Sequence, residues 1–137
     1  MVKKTDREIV EQIDQAFAEL IVSLKDLAHS VQPENLIRSA AVIEQMCGGL
    51  TANLWDDPFE WTLPETLSNA DRVVEYLSEV DLARARAFDS IDDRALTKYI
   101  AVPSGEERLL ISVLLETLVK ASDLRGRAAT EGRPYSC

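Results

Sequence analysis

Residues 109–124 read LLISVLLETLVKASDL, and this stretch decides the fold class. Placed at 100° per residue, its apolar side chains form one broad side of a helix, which holds Leu110, Leu114, Leu118 and Ala121. A narrow polar strip completes the circumference and consists of Ser112, Glu116, Lys120 and Asp123. The pattern predicts a helix buried nearly all round, which requires other helices beside it. Glu116 and Lys120 are also spaced for an i,i+4 ion pair.

The segments that border this run are predicted to have other structures. Residues 99–102 favour a short extended stretch, and 103–105 favour a turn after it. A single strand at this place has no evident partner. The acidic residues 106–107 suit the start of a helix, because the positive end of the helix dipole favours negative charge. Gly126 marks the expected end of that helix, and 130–137 are expected to form a flexible tail.

Two more amphipathic patterns lie in the first half of the chain. Thr5 and Glu8 form a capping box, and apolar residues then recur every three or four positions over 9–27. This predicts a first helix that ends just beyond the pattern. Pro33 suits the first turn of a second helix, whose apolar residues recur in the same way over 36–54.

Gly48 and Gly49 interrupt the pattern of the second helix. Glycine inside a helix is less favourable than alanine by about 1 kcal/mol. The pair therefore indicates either that the helix bends here or that a neighbouring helix packs unusually close.

The helical periodicity stops over 55–67, a segment that contains both tryptophans of the chain. Ser68 and Asp71 form another capping box, which predicts a third helix that ends near residue 92. The four patterns together predict an all-α fold, an antiparallel four-helix bundle with a long crossover between its second and third helices. One domain is expected to cover the whole chain, 1–137.

The charge and hydropathy of the chain argue against several classes of partner. The net charge at pH 7 is −9, whereas phosphate binding needs clustered Lys and Arg. Arg84 and Arg86 have acidic neighbours, so we expect them on a solvated helix face. No apolar run is long enough to span a membrane, and the N-terminus does not resemble a signal peptide. We therefore expect a soluble, cytoplasmic protein that binds neither nucleic acid nor membrane.

Residues that commonly perform catalysis are scarce. His29 is the only histidine, and we expect it to interact with the negative end of the first helix; a catalytic role is the alternative. Cys47 lies on a helical pattern and is expected to be a core residue, with a reactive thiol as the alternative. Cys137 is the last residue, and no glycine-rich phosphate loop is present. We expect no cofactor.

Glu44, Glu116 and Asp123 are candidate site residues, because their carboxylates can project between helices; solvent-facing or ion-paired roles are the alternative. Trp55 and Trp61 either line a ligand pocket or seal one end of the bundle. We favour sealing.

Three short motifs resemble those of a known family. They are WTLPETL at 61–67, VPSGE at 102–106, and the pair Arg125-Gly126. On these motifs and the order of its elements, the chain resembles the DinB-like superfamily. The resemblance implies a four-helix bundle, often a dimer, whose members bind a divalent metal through three histidines and include thiol-dependent transferases.

The chain departs from that family at the metal ligands. The two histidines of the last helix are matched here by Lys120 and Leu124, and the second helix offers Glu44 or Gln45 instead of the third. Lys120 would place a positive charge where the metal should lie. The resemblance therefore implies the bundle without the usual metal site. A site made of the carboxylates of Glu44, Glu116 and Asp123 is the alternative.

These observations favour a non-catalytic DinB-like bundle, dimeric and without metal, that binds a partner or a small ligand. The ligand-site candidates are Glu44, Glu116, Lys120, Asp123, Trp55 and Trp61. The alternative function is a thiol transferase with a rearranged metal site or none, which predicts a saturable pocket beside Lys120. A third hypothesis is an adaptor that pairs with other helices through the third helix. Whether the protein is an enzyme stays open.

Overall fold

A computed structural model describes residues 6–52, 55, 69–92, 94–102 and 104–131. The four helices are α1 (Asp6–Leu27), α2 (Glu34–Ala52), α3 (Ala70–Asp89) and α4 (Leu110–Glu131). A 3₁₀ turn (Ala95–Thr97) and two strands, β1 (Tyr99–Ala101) and β2 (Glu107–Leu109), lie between α3 and α4. The prediction of four helices is therefore confirmed, and the small sheet is a departure from a purely α-helical chain.

Each helix packs against two others. α2 lies against α3 and α4, and α1 also packs on α3 and α4, whereas the consecutive helices α1 and α2 hardly touch. One apolar core runs between the four helices, and Phe17, Ile43, Leu77 and Leu114 are fully buried in it. The predicted apolar stripes of the helices supply this core.

The first two helices agree with their sequence patterns. α1 ends at Leu27, close to the predicted end, while Thr5 of the expected capping box lies outside the described residues. The carbonyl oxygen of Pro33 accepts a hydrogen bond from the backbone N–H of Ile37 at 2.9 Å. Pro33 thus caps α2, one position before the first turn that was predicted for it.

α3 begins and ends one to three residues away from its predicted bounds. Its N-cap is Asn69, whose side-chain oxygen accepts a hydrogen bond from the backbone N–H of Arg72 at 2.9 Å. Asn and Ser are similarly good N-caps, so the sequence does not distinguish neighbouring positions. The helix ends at Asp89, and the backbone N–H of Ser90 donates to the last carbonyls. Of the predicted crossover over 55–67, only Trp55 belongs to the described residues.

The extended stretch before α4 does have a partner. β1 pairs with β2 in antiparallel register, with Ile100 opposite Arg108. Gly105 closes the hairpin at a φ of 87°, a conformation that glycine adopts without a steric penalty. The expectation that α4 begins at 106–107 is wrong, because Glu107 belongs to β2 and the helix begins at Leu110.

α4 continues beyond its predicted end. Gly126 lies inside the helix, and an added Cβ there would meet no atom within 4 Å. Thr130, expected in a flexible tail, is helical, and its hydroxyl donates to the carbonyl of Gly126 at 3.0 Å. A lone glycine weakens a helix without ending it. Residues 132–137 lie outside the described part of the chain.

α4 has one buried and one exposed side. Leu110, Leu114 and Ala121 are buried as predicted, but Leu115 is 44% exposed and Val119 is 70% exposed. The expectation of a helix buried nearly all round is wrong. Its main contact is with α2 and a smaller one is with α1, so the side turned away from both stays open among the described residues.

None of the described helices combines the length and apolar character that crossing a lipid bilayer demands.

Candidate ligand-binding site

Two adjoining pockets lie along α4. The inner pocket, about 190 Å³, lies between α2 and α4 and is lined by Val42, Gln45, Met46, Trp55, Glu116, Thr117 and Lys120. The outer pocket, about 470 Å³ and open to solvent, lies over the exposed side of α4 and is lined by Leu115, Glu116, Val119, Lys120 and Asp123. Glu116 and Lys120 line both. We call the two pockets together the α4 groove.

Gly49 allows Trp55 to reach the inner pocket. An ideal Cβ at Gly49 would lie 2.2 Å from Cε2 of the Trp55 indole, far below a van der Waals contact. The indole therefore lies directly against the backbone of α2. This explains why α2 carries a glycine here: the close neighbour expected from the sequence exists, but it is a side chain instead of a helix.

A second contact holds the backbone of Trp55. The side-chain amide of Gln45 donates to the carbonyl oxygen of Trp55 at 2.7 Å. Trp55 also packs on the apolar core, as expected for a residue that seals the bundle. Because Trp55 both packs on the core and lines a pocket, its position is compatible with either role considered for it. Trp61 lies outside the described residues.

The indole N–H of Trp55 is buried and has no acceptor among the described residues. A buried donor without a partner is unfavourable by about 1–3 kcal/mol. Trp55 lines the inner pocket, so a ligand oxygen that reached this N–H would add a hydrogen bond that the described protein atoms do not supply.

The acidic residues of the groove are already paired. Arg108 in β2 donates to the Glu116 carboxylate, and this hydrogen bond holds the pKa of Glu116 below its ordinary value. Nε of Arg127 lies 3.2 Å from a carboxylate oxygen of Asp123. Both pairs are solvent-exposed, so they contribute little to stability, but they neutralise the two carboxylates locally.

Lys120 has no such partner. It is exposed on α4 and forms no ion pair with any residue that the structure describes. The predicted Glu116–Lys120 pair is therefore wrong, because the hairpin brings Arg108 to Glu116 instead. Lys120 is left as the cationic side chain at the junction of the inner and outer pockets.

Glu44 does not belong to the groove. It lies partly buried between α2 and α3, where burial raises the pKa of its carboxyl; a hydrogen bond with Tyr76 opposes this rise and the charge of Glu79 adds to it. Its Oε1 atom is buried without a hydrogen-bond partner in the described part of the chain. Glu44 does project between helices, as expected, but on the side of α2 that faces α3.

Cys47 is a buried core residue, as predicted. Burial raises the pKa of its thiol to about 12, and the positive charge of Arg84 opposes the rise only in part. Because the thiolate is the reactive form, this cysteine is a poor nucleophile at neutral pH.

Arg84 does not lie on a solvated face. Its side chain is only 14% exposed, and it donates to Asp81 at 2.8 Å and to Asp14 of α1. The expectation failed because the acid that draws Arg84 inward lies 70 residues away in sequence. Arg86 is exposed, as expected. A third pocket, about 240 Å³, opens beside Arg84 between α1 and α3, but the acids around it already hold this cation.

His29 lies beyond the end of α1 and is exposed, with Nε2 3.3 Å from a carboxylate oxygen of Asp71 in the first turn of α3. His29 is not among the residues that line the α4 groove or the pocket between α1 and α3.

The described residues contain no group of three or more His, Cys, Asp or Glu side chains placed to hold a metal ion. Glu116 and Asp123 lie on the outer side of α4, whereas Glu44 faces α3. The carboxylate site considered for these three residues is therefore not formed.

Sequence reasoning found four of the residues that line the groove, namely Trp55, Glu116, Lys120 and Asp123. It missed the wall that α2 supplies. Val42, Met46 and Gly49 are spaced by four and three, so they share one helix face, and the glycine on that face was the available signal.

Comparison with known proteins does not assign the chain to a family. The DinB-like resemblance rests on the three motifs and on the order of the elements. No family model matches the chain, and no curated protein or solved structure does either.

Proposed function

We propose that the protein is a DinB-like antiparallel four-helix bundle that binds a small, largely apolar ligand in the α4 groove, without the metal chemistry of that superfamily. The observation that carries the proposal is the groove itself. Leu115 and Val119 are exposed beside the outer pocket, and Met46 and Trp55 form apolar walls of the inner one. Apolar pockets with a few polar groups are the usual sites of small ligands.

Three features support binding without catalysis. Lys120 stands where the resemblance implies a metal-binding histidine, and its charge opposes a cation. The thiol of Cys47 stays protonated at neutral pH. Of the two substitutes on α2, Glu44 faces away from the groove toward Tyr76, and the Gln45 amide donates to the carbonyl of Trp55.

A neutral fluorescent probe, N-phenyl-1-naphthylamine, tests the proposal directly. We expect saturable binding to the wild-type protein and at least about tenfold weaker binding to Val119→Asp, because this change places a carboxylate in the apolar outer pocket. Val22→Asp is the matched control, since Val22 is a similarly exposed valine on α1. Equal loss in both variants, or no saturable binding to the wild type, would reject the groove as the site.

The thiol transferase is the second candidate, because it also requires a pocket beside Lys120. If the transferase has a rearranged metal site, its metal content distinguishes it from the proposed binding protein. Elemental analysis of protein prepared without an affinity tag should find no near-stoichiometric zinc, nickel or manganese. A stoichiometric metal would contradict the proposal and favour the transferase.

The proposal includes a homodimer, which the resemblance implies, and a cytoplasmic location. Several large apolar side chains are exposed on different elements: Val22, Leu82, Tyr99, Leu115 and Val119. Light scattering tests the dimer. A monomer at high concentration would refute that part of the proposal without affecting the groove.

A further inference from the structure

We infer that the ligand of the α4 groove is an apolar monocarboxylate, whose oxygens contact the ammonium group of Lys120 and the indole N–H of Trp55. The inference rests on the proposed function and specifies the class of ligand. It follows from the charges, the hydrogen-bond donors and the apolar surface of the groove, each of which is a separate observation.

The charges favour a single negative group. Lys120 is the only cation among the described residues that line the groove, and it has no acidic partner among them. Glu116 is neutralised by Arg108, and Asp123 is neutralised by Arg127. The net charge of the chain, −9, opposes anions in general. At physiological ionic strength charges beyond about 8 Å are largely screened, so a contact with Lys120 outweighs distant acids.

One cation matches a monoanion. A phosphate ester carries close to two charges at neutral pH and would leave much of its charge unpaired beside a single ammonium group. A carboxylate carries one. Among the described residues that line the groove, the single unpaired lysine therefore favours a carboxylate over a phosphate.

Some hydrogen-bond donors of the inner pocket have no acceptor among the described residues. The indole N–H of Trp55 is buried without a partner in the described part of the chain. The Thr117 hydroxyl and the Lys120 ammonium line the same pocket. A carboxylate has two oxygens with about four lone-pair sites, and it can accept from more than one donor at once. A neutral alcohol offers only one oxygen, so it accepts fewer hydrogen bonds from these donors.

The apolar surface of the outer pocket indicates the shape of the rest of the ligand. The outer pocket runs from Leu115 to Asp123, which is eight residues or about 12 Å along a helix. Leu115 and Val119 offer apolar area there that is exposed in the free protein. Octanoate, with one carboxylate and an extended chain of comparable length, has the required chemistry.

The test is displacement of N-phenyl-1-naphthylamine by octanoate and by 1-octanol. We expect octanoate to displace the probe from the wild-type protein at a concentration about tenfold lower than 1-octanol does. Lys120→Met should remove this preference, so that octanoate and 1-octanol displace the probe at similar concentrations. Lys98→Met, which removes an exposed lysine outside the groove, is the matched control and should keep the preference.

The outcomes separate the two claims. Displacement by both compounds at equal concentrations, or a preference that survives in Lys120→Met, would overturn the carboxylate inference and leave the groove as a binding site. A preference for octyl phosphate over octanoate would also overturn it. Failure of the probe to bind the wild type would reject the proposed function, and the inference would fall with it.

Discussion

At the scale of single residues, the groove depends on the contact between Gly49 and Trp55. The indole lies where a side chain at Gly49 would be, so the glycine determines that Trp55 reaches the inner pocket. The presence of a close neighbour was predictable from two glycines inside a helical pattern. Its identity was not, because Trp55 follows α2 in a segment without helical periodicity and its position depends on the path of the chain.

Gly49→Ala should lower the free energy of unfolding by about 1–3 kcal/mol, because the new methyl group must displace the indole from α2. Gly126→Ala is the matched control. An added Cβ there meets nothing, so the helix preference of alanine should raise stability by up to about 1 kcal/mol. Urea unfolding measures both changes. Equal effects of the two substitutions would show that Trp55 does not pack on Gly49.

Glu44 should make stability depend on pH. Burial raises the pKa of its carboxyl above the ordinary value of 4.5, so the folded state binds a proton more tightly than the unfolded state. Ionisation of Glu44 therefore lowers the free energy of unfolding. This loss is absent below the pKa of Glu44 in the unfolded chain. It grows as the pH rises through the higher pKa of the folded state and is complete above it.

Glu44→Gln removes this loss. The variant should be more stable than the wild type at pH 7, and the difference should disappear near pH 4. Urea midpoints at both pH values test this, with Glu75→Gln as an exposed carboxyl control on α3, since the charge of Glu79 itself contributes to the pKa of Glu44. A Glu44→Gln variant less stable than the wild type at pH 7 would show that the ionised carboxylate is stabilised where it lies.

At the scale of elements, the hairpin of β1 and β2 supplies the positive charge that pairs with the Glu116 carboxylate in the groove. It places Arg108 beside Glu116, eight residues along the chain. Helical periodicity predicted α1 and α2 and the buried side of α4, because those patterns depend on near neighbours. The hairpin was missed, because the acidic residues 106–107 also suit a helix start and strand pairing depends on residues across the turn.

Arg108→Gln should reduce the preference for octanoate over 1-octanol by about two- to fivefold, because an unpaired Glu116 becomes a competitor for Lys120. Arg127→Gln removes the pair with Asp123 and should have a smaller effect, since Asp123 lines only the outer pocket. The same probe displacement measures both. An unchanged preference in Arg108→Gln would show that Glu116 does not compete with a bound anion.

At the scale of the whole molecule, the groove exists because α4 has neighbours on only part of its circumference. α2 and α1 bury one side of α4, and the described residues leave Leu115 and Val119 open on the other. Amphipathic patterns predicted four helices but could not show how many neighbours each has. They therefore identified Lys120 as a residue of interest without revealing the apolar surface beside it.

Octanoate titration followed by ¹H–¹⁵N NMR tests the groove most directly, with Trp61→Phe used to assign the indole N–H of Trp55. We expect saturable shifts of that indole resonance and of the backbone amides from Leu115 to Asp123, while amides beside the pocket between α1 and α3 stay unchanged. Shifts confined to that other pocket, or an indole resonance unaffected by octanoate, would show that the carboxylate does not bind in the α4 groove.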